Sequence, residues 1–450
     1  MPRLLLAGWL AFAALPAVAA GPVVLGPQDF LKLTYAALAA GDAETALQMA
    51  DALIARDPSD ALALIAQSRA ARDLGQISAA RAAARAAIRV ADTPDERFGA
   101  AMVMAQALSS AGQRTAAQYW LRRAAQAAPS DQARALAVRD FGYVKARNPL
   151  VLGFDFGLSP SSNINGGSAS STLRIPGLPF VFALSGDAQA LSGTELALGF
   201  GARYRLPPQE RSATELRLSA SGRHYWLSQA AKLQAPAARG SDYDFAALEI
   251  GVAQKRALGS GIADLALSLG RNWYGGAVLS DVARLDFGYA RPVSARISGS
   301  VGLSLERQAR RDVAARSANL VSVTGGIGIG LRNGDALRFS VLARQAQSAS
   351  SEIDHHEASL SLDWTRAALI GPLRLGAGIA VSTAHYDRSP YSRNGRADRR
   401  LAASLVLGLE GWDYLGFSPE VTVTAARTHS NISLYEQRDV GVALGIRSAF

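Results

Sequence analysis

From Leu150 to the end of the chain, apolar and polar positions take turns. In LVLGFDFGL, residues 150–158, one phase holds Leu150, Leu152, Phe154, Phe156 and Leu158, and the other Val151, Gly153, Asp155 and Gly157. A helix cannot keep a two-residue period, so the stretch predicts a strand. The rhythm returns near 194–206, 214–226, 243–256, 261–273, 281–291, 295–306, 318–331, 335–347, 355–366, 371–386, 399–411, 415–428 and 435–450, which makes fourteen strands. Most exceed the ~5–6 residues usual in a soluble sheet and reach the ~9–11 with which a tilted strand crosses a bilayer.

One phase is apolar on nearly every strand: Leu196, Leu198 and Phe200; Leu285, Phe287 and Tyr289; Val301, Leu303 and Leu305; Leu405, Leu407 and Leu409. The opposite phase carries Gly, Ser and charges of both signs. Its basic members include Arg203, Arg217, Arg223, Arg284, Arg338, Arg344 and Arg374, and its acidic ones Asp155, Glu249, Asp286, Asp363 and Glu410. Apolar outside and polar inside is the pattern of an outer-membrane barrel, although a soluble sandwich with its apolar face inward alternates too. Connection lengths decide between them. Tight turns at 257–260, 292–294 and Asn333-Gly334 alternate with long connections at 159–193, 227–242, 307–317 and 387–398, as in transmembrane barrels. Asn-Gly further predicts a type I′ turn. An even strand number returns both barrel ends to the periplasmic side. The closing strand, DVGVALGIRSAF, should pair with the first, and its terminal Phe450 is the candidate assembly signal, with Ser448 where such signals often have an aromatic.

Residues 27–146 read differently. Segments beginning at Gly41, Gly75 and Gly112 resemble one another, at spacings of 34 and 37 residues. A period near 34 is that of the tetratricopeptide repeat, a pair of helices closed by a turn. Ala46, Ala80 and Ala117 fall where a small residue lets the two helices approach, and Pro58, Pro94 and Pro129 close the repeats. Seven helices fit the span. An Ala-rich bundle is the alternative, and stacked pairs would present a concave surface suited to peptide or protein.

Upstream, Arg3, the apolar run Leu4–Leu15 and Ala17-Val18-Ala19 have the order of a secretory signal peptide; the run is too short for a spanning helix. The expected domains are therefore 1–19 signal peptide, 20–146 periplasmic repeats and 147–450 barrel. No cysteine occurs, which excludes disulfides and thiolate metal sites. The net charge of +10 comes from dispersed arginines, without the basic, aromatic-interleaved patch of a nucleic-acid binder. No G-x-S-x-G or H-E-x-x-H motif is present. Of the histidines at 224, 355, 356, 385 and 429, the adjacent His355-His356 is read as part of a long connection, without carboxylate spacing that would complete a metal site. The glycines of GGIGIGLRNG alternate with Ile327 and Ile329 and read as strand, not as a phosphate loop. No catalytic residue, metal or cofactor is expected.

The junction FDFGLSPSSNINGGS, residues 154–168, with Asn163-Ile164-Asn165, and the last hairpin with Asn431-Ile432 resemble the surface lipoprotein assembly modifier family. The resemblance covers the architecture of the mature chain. It implies an outer-membrane translocator whose periplasmic repeats engage a secreted protein or lipoprotein client that the barrel helps to the surface, with the barrel assembly machinery and outer-membrane lipids as further partners. A repeat-plus-barrel polysaccharide exporter and a simple porin are the alternatives. The mixed signs and few aromatics of the polar phase, with Arg203, Arg217, Arg284, Arg338, Glu249 and Asp286 as lumen candidates, weigh against a sugar conduit.

Overall fold

The computed structural model describes residues 25–175 and 179–448. The expected signal peptide and Phe450 lie outside the described residues. The chain divides into two compact units on either side of Asp131.

The first unit holds α1 (Pro27–Ala40), α2 (Ala43–Arg56), α3 (Ala61–Asp73), α4 (Ile77–Val90), α5 (Pro94–Ser110) and α6 (Arg114–Ala127). The periodic glycines explain the pairing. Gly41, Gly75 and Gly112 adopt φ of 81°, 75° and 75° just past α1, α3 and α5, the left-handed cap that glycine enters without steric penalty. Each cap is closed by two reverse bonds, as where Gln76 N donates to Ala71 O at 2.8 Å and Gly75 N to Arg72 O at 2.9 Å. The chain then turns directly into the next helix, and Ala46, Ala80 and Ala117 are fully buried against the preceding one. Helix starts are equally local: Asp42 and Asp60 accept from Thr45 N and Ala63 N. Thr93 and Glu96 form a reciprocal capping box, and the backbone N–H groups of Thr93 and Asp92 hold the Glu96 carboxyl below the usual carboxylate range. Successive pairs stack through α1 on α3 and α3 on α5, a repeat architecture in which each unit rests on its neighbours.

The second unit opens with α7 (Asp131–Arg147). It continues through β1 (Leu150–Ser161), β2 (Thr172–Arg174), β3 (Val181–Ala183), β4 (Gly193–Arg205), β5 (Ser212–Leu227), α8 (Gln229–Gln234), β6 (Phe245–Leu258), β7 (Gly261–Tyr274) and β8 (Ala277–Pro292). The remaining strands are β9 (Ile297–Arg310), β10 (Ala318–Gly330), β11 (Ala336–Ser348), β12 (His355–Thr365), β13 (Leu373–Tyr386), β14 (Arg396–Leu409), β15 (Phe417–Ser430) and β16 (Gln437–Ser448). β1 and β4 to β16 close into a fourteen-stranded antiparallel barrel, while β2 and β3 pair separately. The barrel closes where β16 meets β1, with Leu444 opposite Leu158 and Gly441 opposite Ser161.

The pleat sorts the residues as the alternation requires. Leu198, Leu267, Leu285, Leu303, Val323, Val341, Leu360, Val381 and Leu444 lie exposed on the outer phase. An apolar belt around a closed barrel, with no strand edge left open, is the geometry that satisfies every backbone group in lipid, and the chain is accordingly an outer-membrane-type barrel. No helix of the described residues is long and apolar enough to cross a membrane. Short turns at 206–211, 259–260, 293–296, 331–335, 366–372 and 410–416 occupy the end from which β1 departs. At the same end, Arg134 of α7 pairs with Asp413 of the last turn at 2.8 Å.

Three local expectations change. The Asn333-Gly334 turn is not type I′, because only Gly334 has positive φ, 88°. Gly334 N donates to Leu331 O and Leu331 N to Asp335 O, a type I turn followed by a glycine bulge, which suits strand twist with one left-handed residue instead of two. His355-His356 is not in a long connection: the two residues begin β12, where they pair in register with Ala346 and Gln345. β7 and β8 run past the segments read near 261–273 and 281–291 and leave only Gly275-Gly276 between them, so one end of the barrel is not uniformly long-looped.

Candidate functional site

The inner phase of the barrel is a ladder of ion pairs built by cross-strand register. Arg217 on β5 reaches Glu215 at 3.2 Å and Asp264 on β7 at 3.1 Å, and Lys255 on β6 shares Glu215 at 3.1 Å. Arg284 on β8 bonds Glu306 on β9 at 2.6 Å and Glu249 on β6 at 3.3 Å, spanning the intervening β7. Nearer the long-loop end Arg344 pairs with Glu357 and Arg400 with Asp439; nearer the short turns Arg374 pairs with Glu410. Charge compensation of this kind leaves a polar, hydrated wall with no field of one sign.

The lumen candidates from sequence fall on this inner phase but do not form one cluster. Arg217, Arg284 and Glu249 take part in the ladder. Arg203 lies in register with Arg217, Arg338 with Asp363, and Asp286 with Ala266 and Ser304. The sequence reading missed Glu215, Lys255, Asp264, Glu306, Arg400 and Asp439. The signal was present in their phase, which matches that of the flagged arginines, but their partnership depends on strand register.

At the opposite end from the short turns, the connection from 162 to 192 folds back on itself, and Asn165 holds its two arms together. Its side-chain amide donates to Asp187 O and Gln189 O, both at 2.8 Å, and its carbonyl accepts from Leu191 N at 2.9 Å and Gly167 N at 3.2 Å. The side chain thus stands in for a strand's backbone. Asn163 closes the neighbouring turn, accepting from Gly167 N at 2.8 Å and donating to Gly167 O at 3.0 Å. Ile164 packs into a cluster with Leu191, Tyr225, Leu227, Ala231 and Ala235, which joins this loop to the 228–244 connection and α8.

The last loop, 431–436, joins the same assembly. Ile432 is fully buried. Ser168 donates to Ser433 O at 2.8 Å, Ser433 to Thr172 O at 2.9 Å, and Ala169 N to Glu436 O at 2.7 Å. Asn431 secures the loop from the other side, accepting from Ala397 N at 2.9 Å. The loops that carry the two short motifs, 268 residues apart from Asn163 to Asn431 in sequence, therefore meet through residues 168–172 and 433–436 over the seam where β1 and β16 close the barrel.

Two of the histidines stand together, His356 directly opposite His385 in the β12–β13 ladder; the others are apart. His224 Nδ1 lies 2.6 Å from Asp244, which also accepts from Tyr225 N. His355 stacks on Tyr386, and His429 lies 3.1 Å from Glu436. Among the described residues no group of three or more His, Asp or Glu is arranged to hold a metal ion. The arrangement is a charge-paired polar wall inside a closed barrel, with a packed loop cap at one end.

No protein-family model matches the chain, and no curated protein matches it in sequence. Among solved structures, the helical region is similar to the type III secretion translocator chaperone SycD of Yersinia enterocolitica, at 17% identity over 27% of this chain and 83% of that one, with a TM-score of 0.24. The barrel is similar to a loop-deletion mutant of OmpT, an outer membrane protein of Vibrio cholerae, at 9% identity over 67% and 99% of the two chains, with a TM-score of 0.36. It is also similar to a BenF-like porin from Pseudomonas fluorescens, at 6% identity over 66% and 98%, with a TM-score of 0.36. At these identities each likeness concerns fold alone.

Proposed function

We propose that this protein is an outer-membrane translocator that delivers a secreted protein or surface lipoprotein to the cell surface. The helical repeats stand in the periplasm and bind the client, and the barrel gives it passage without covalent chemistry. The observation that carries the reading is the joining of two parts in one chain: a stack of helix pairs of the kind that presents a protein-binding surface, and a closed barrel with a polar, charge-compensated interior. Balanced charges in the wall favour a polypeptide of mixed composition over a polyanionic saccharide, which calls for a ladder of one sign. In this reading Arg203, Arg217, Arg284, Arg338, Glu249 and Asp286 line the path, Phe450 serves the barrel assembly machinery, and Asn163, Ile164 and Asn165 hold the surface loops at the exit.

The test deletes residues 27–130 and keeps α7, which belongs with the barrel. Client exposed on intact cells is then measured by antibody or protease with the full chain, the barrel alone or neither. Loss of exposure with the barrel alone, at unchanged barrel level in the membrane, is the expected result. Equal exposure in all three overturns the proposal.

A further inference from the structure

The outer phase of the barrel holds charges as well as an apolar belt, and at the long-loop end three of them have no protein partner among the described residues. Arg399 on β14, Arg427 on β15 and Arg438 on β16 are exposed, and none forms a hydrogen bond or ion pair among the described residues. Their phase is that of the belt: Leu401 follows Arg399 by two residues, and Val440, Val442, Leu444 and Ile446 follow Arg438 at steps of two, all exposed. The acids nearest in sequence are turned to the opposite face, since Asp398 pairs with Arg396 and Asp439 with Arg400. Glu436, on the outer phase two residues before Arg438, lies 3.1 Å from His429 Nδ1.

Register brings the three together. Arg427 stands directly opposite Arg438, and Arg399 opposite His429, one diagonal step from Arg427. Like charges facing each other across a ladder, with Cβ atoms roughly 4.5–5.5 Å apart, are destabilising unless an anion sits between them. A second outer group differs in that respect: Arg271 and Arg311 both bond Asp281. The unpaired cluster lies at the long-loop end, next to the apolar belt.

We infer that Arg399, Arg427 and Arg438 form a binding site for the phosphoryl groups of the glycolipid of the outer leaflet. Guanidinium forks pair with phosphate oxygens through two parallel N–H bonds, and acyl chains of the same lipid would lie along Leu401, Val440 and Val442. The site needs only that the barrel spans the outer membrane, and it is independent of whether a client passes through the lumen.

The test uses the full-length protein in detergent and native mass spectrometry, with bisphosphorylated lipid A, dephosphorylated lipid A and inorganic phosphate as probes. The wild type should retain the bisphosphorylated form at least tenfold better than the dephosphorylated one. R399Q/R427Q/R438Q should lose that preference, and the triple Lys variant should keep part of it. Retention unchanged in the Gln variant overturns the site, as does the absence of any preference in the wild type. Displacement by millimolar inorganic phosphate would show a free-anion site and equally overturn the lipid assignment. Should the triple variant not fold, R438Q alone decides: by relieving the Arg427 repulsion it should melt above the wild type without lipid A and below it with lipid A. Any other order overturns the inference. Failure of the wild type to enter vesicles of any composition would instead defeat the membrane reading itself.

Discussion

A single arginine placed on adjacent residues of β10 tests which face of the barrel meets lipid. Val323 is 53% exposed on the outer phase, between Leu303 of β9 and Ala343 of β11 in register. Thr324, the next residue, is exposed on the inner phase, between Gly302 and Leu342. Both stand near the middle of a strand whose ladders are unbroken on either side, so backbone effects are shared and only the medium differs. Arginine on the lipid face near the bilayer midplane costs about 2–4 kcal/mol, whereas a lumen site tolerates it. At about 1.4 kcal/mol per decade, Val323→Arg should lower the folding equilibrium constant roughly thirty- to several hundred-fold, and Thr324→Arg by less than about tenfold. Urea titration of the protein folded into phospholipid vesicles, read by the heat-modifiable gel shift, gives both numbers. Equal shifts, or a larger one at Thr324, would refute the assignment of faces and with it the belt.

Three further outcomes follow from the same structure. Arg284→Ala leaves Glu306 and Glu249 facing each other without their shared cation; because the site is partly hydrated, the loss should be about 1–3 kcal/mol in urea titration, recovered in part by adding Glu306→Gln. Asn165→Ala removes acceptor and donors from four backbone groups of the first long loop, so the Leu191 amide should exchange roughly thirtyfold faster, about 2 kcal/mol, while the barrel still inserts. In the helical unit, burial pushes the Tyr35 phenol up to about 12, and the neutral phenol donates to Leu62 O. The folded state therefore holds its proton where the unfolded chain has lost it, so this contribution is complete below pH ~10 and fades as pH rises to ~12. Helical ellipticity in thermal melts at pH 9 and 11.5 should show that loss, and Tyr35→Phe should remove its Tyr35 part.

Strand positions, the phase of each strand and the repeat turns were legible in the residues because they depend on local geometry. A two-residue period names the faces of β1 and of β4 to β16 without knowledge of any neighbour, and Gly41, Gly75 and Gly112 mark helix ends because only a left-handed residue closes those caps. The same local reading overreached at Asn333-Gly334, where the twist of β10 and β11 selected a bulged turn over the commonest Asn-Gly one. It also read His355-His356 as part of a long connection although the strand read near 355–366 begins there, and ladder bonding to β11 places both residues in β12.

What lay outside the sequence is everything that depends on register between distant segments. Phase put Arg284, Glu249 and Glu306 on one wall, but only the pairing of β6 to β9 brought one guanidinium between two carboxylates. The β2–β3 hairpin and α8 arise inside long connections whose order comes from the packed loop cap. Asn163, Asn165 and Asn431 drew attention as short motifs, yet the meeting of their loops at the barrel seam required β16 to come round to β1. Arg427 and Arg438, by contrast, meet across a single hairpin, where the register of β15 on β16 sets the two charges opposite each other. Side-chain direction along a strand is settled within a few bonds, whereas the partner across a ladder is settled by strand register and, at the β1–β16 seam, by closure of the whole sheet.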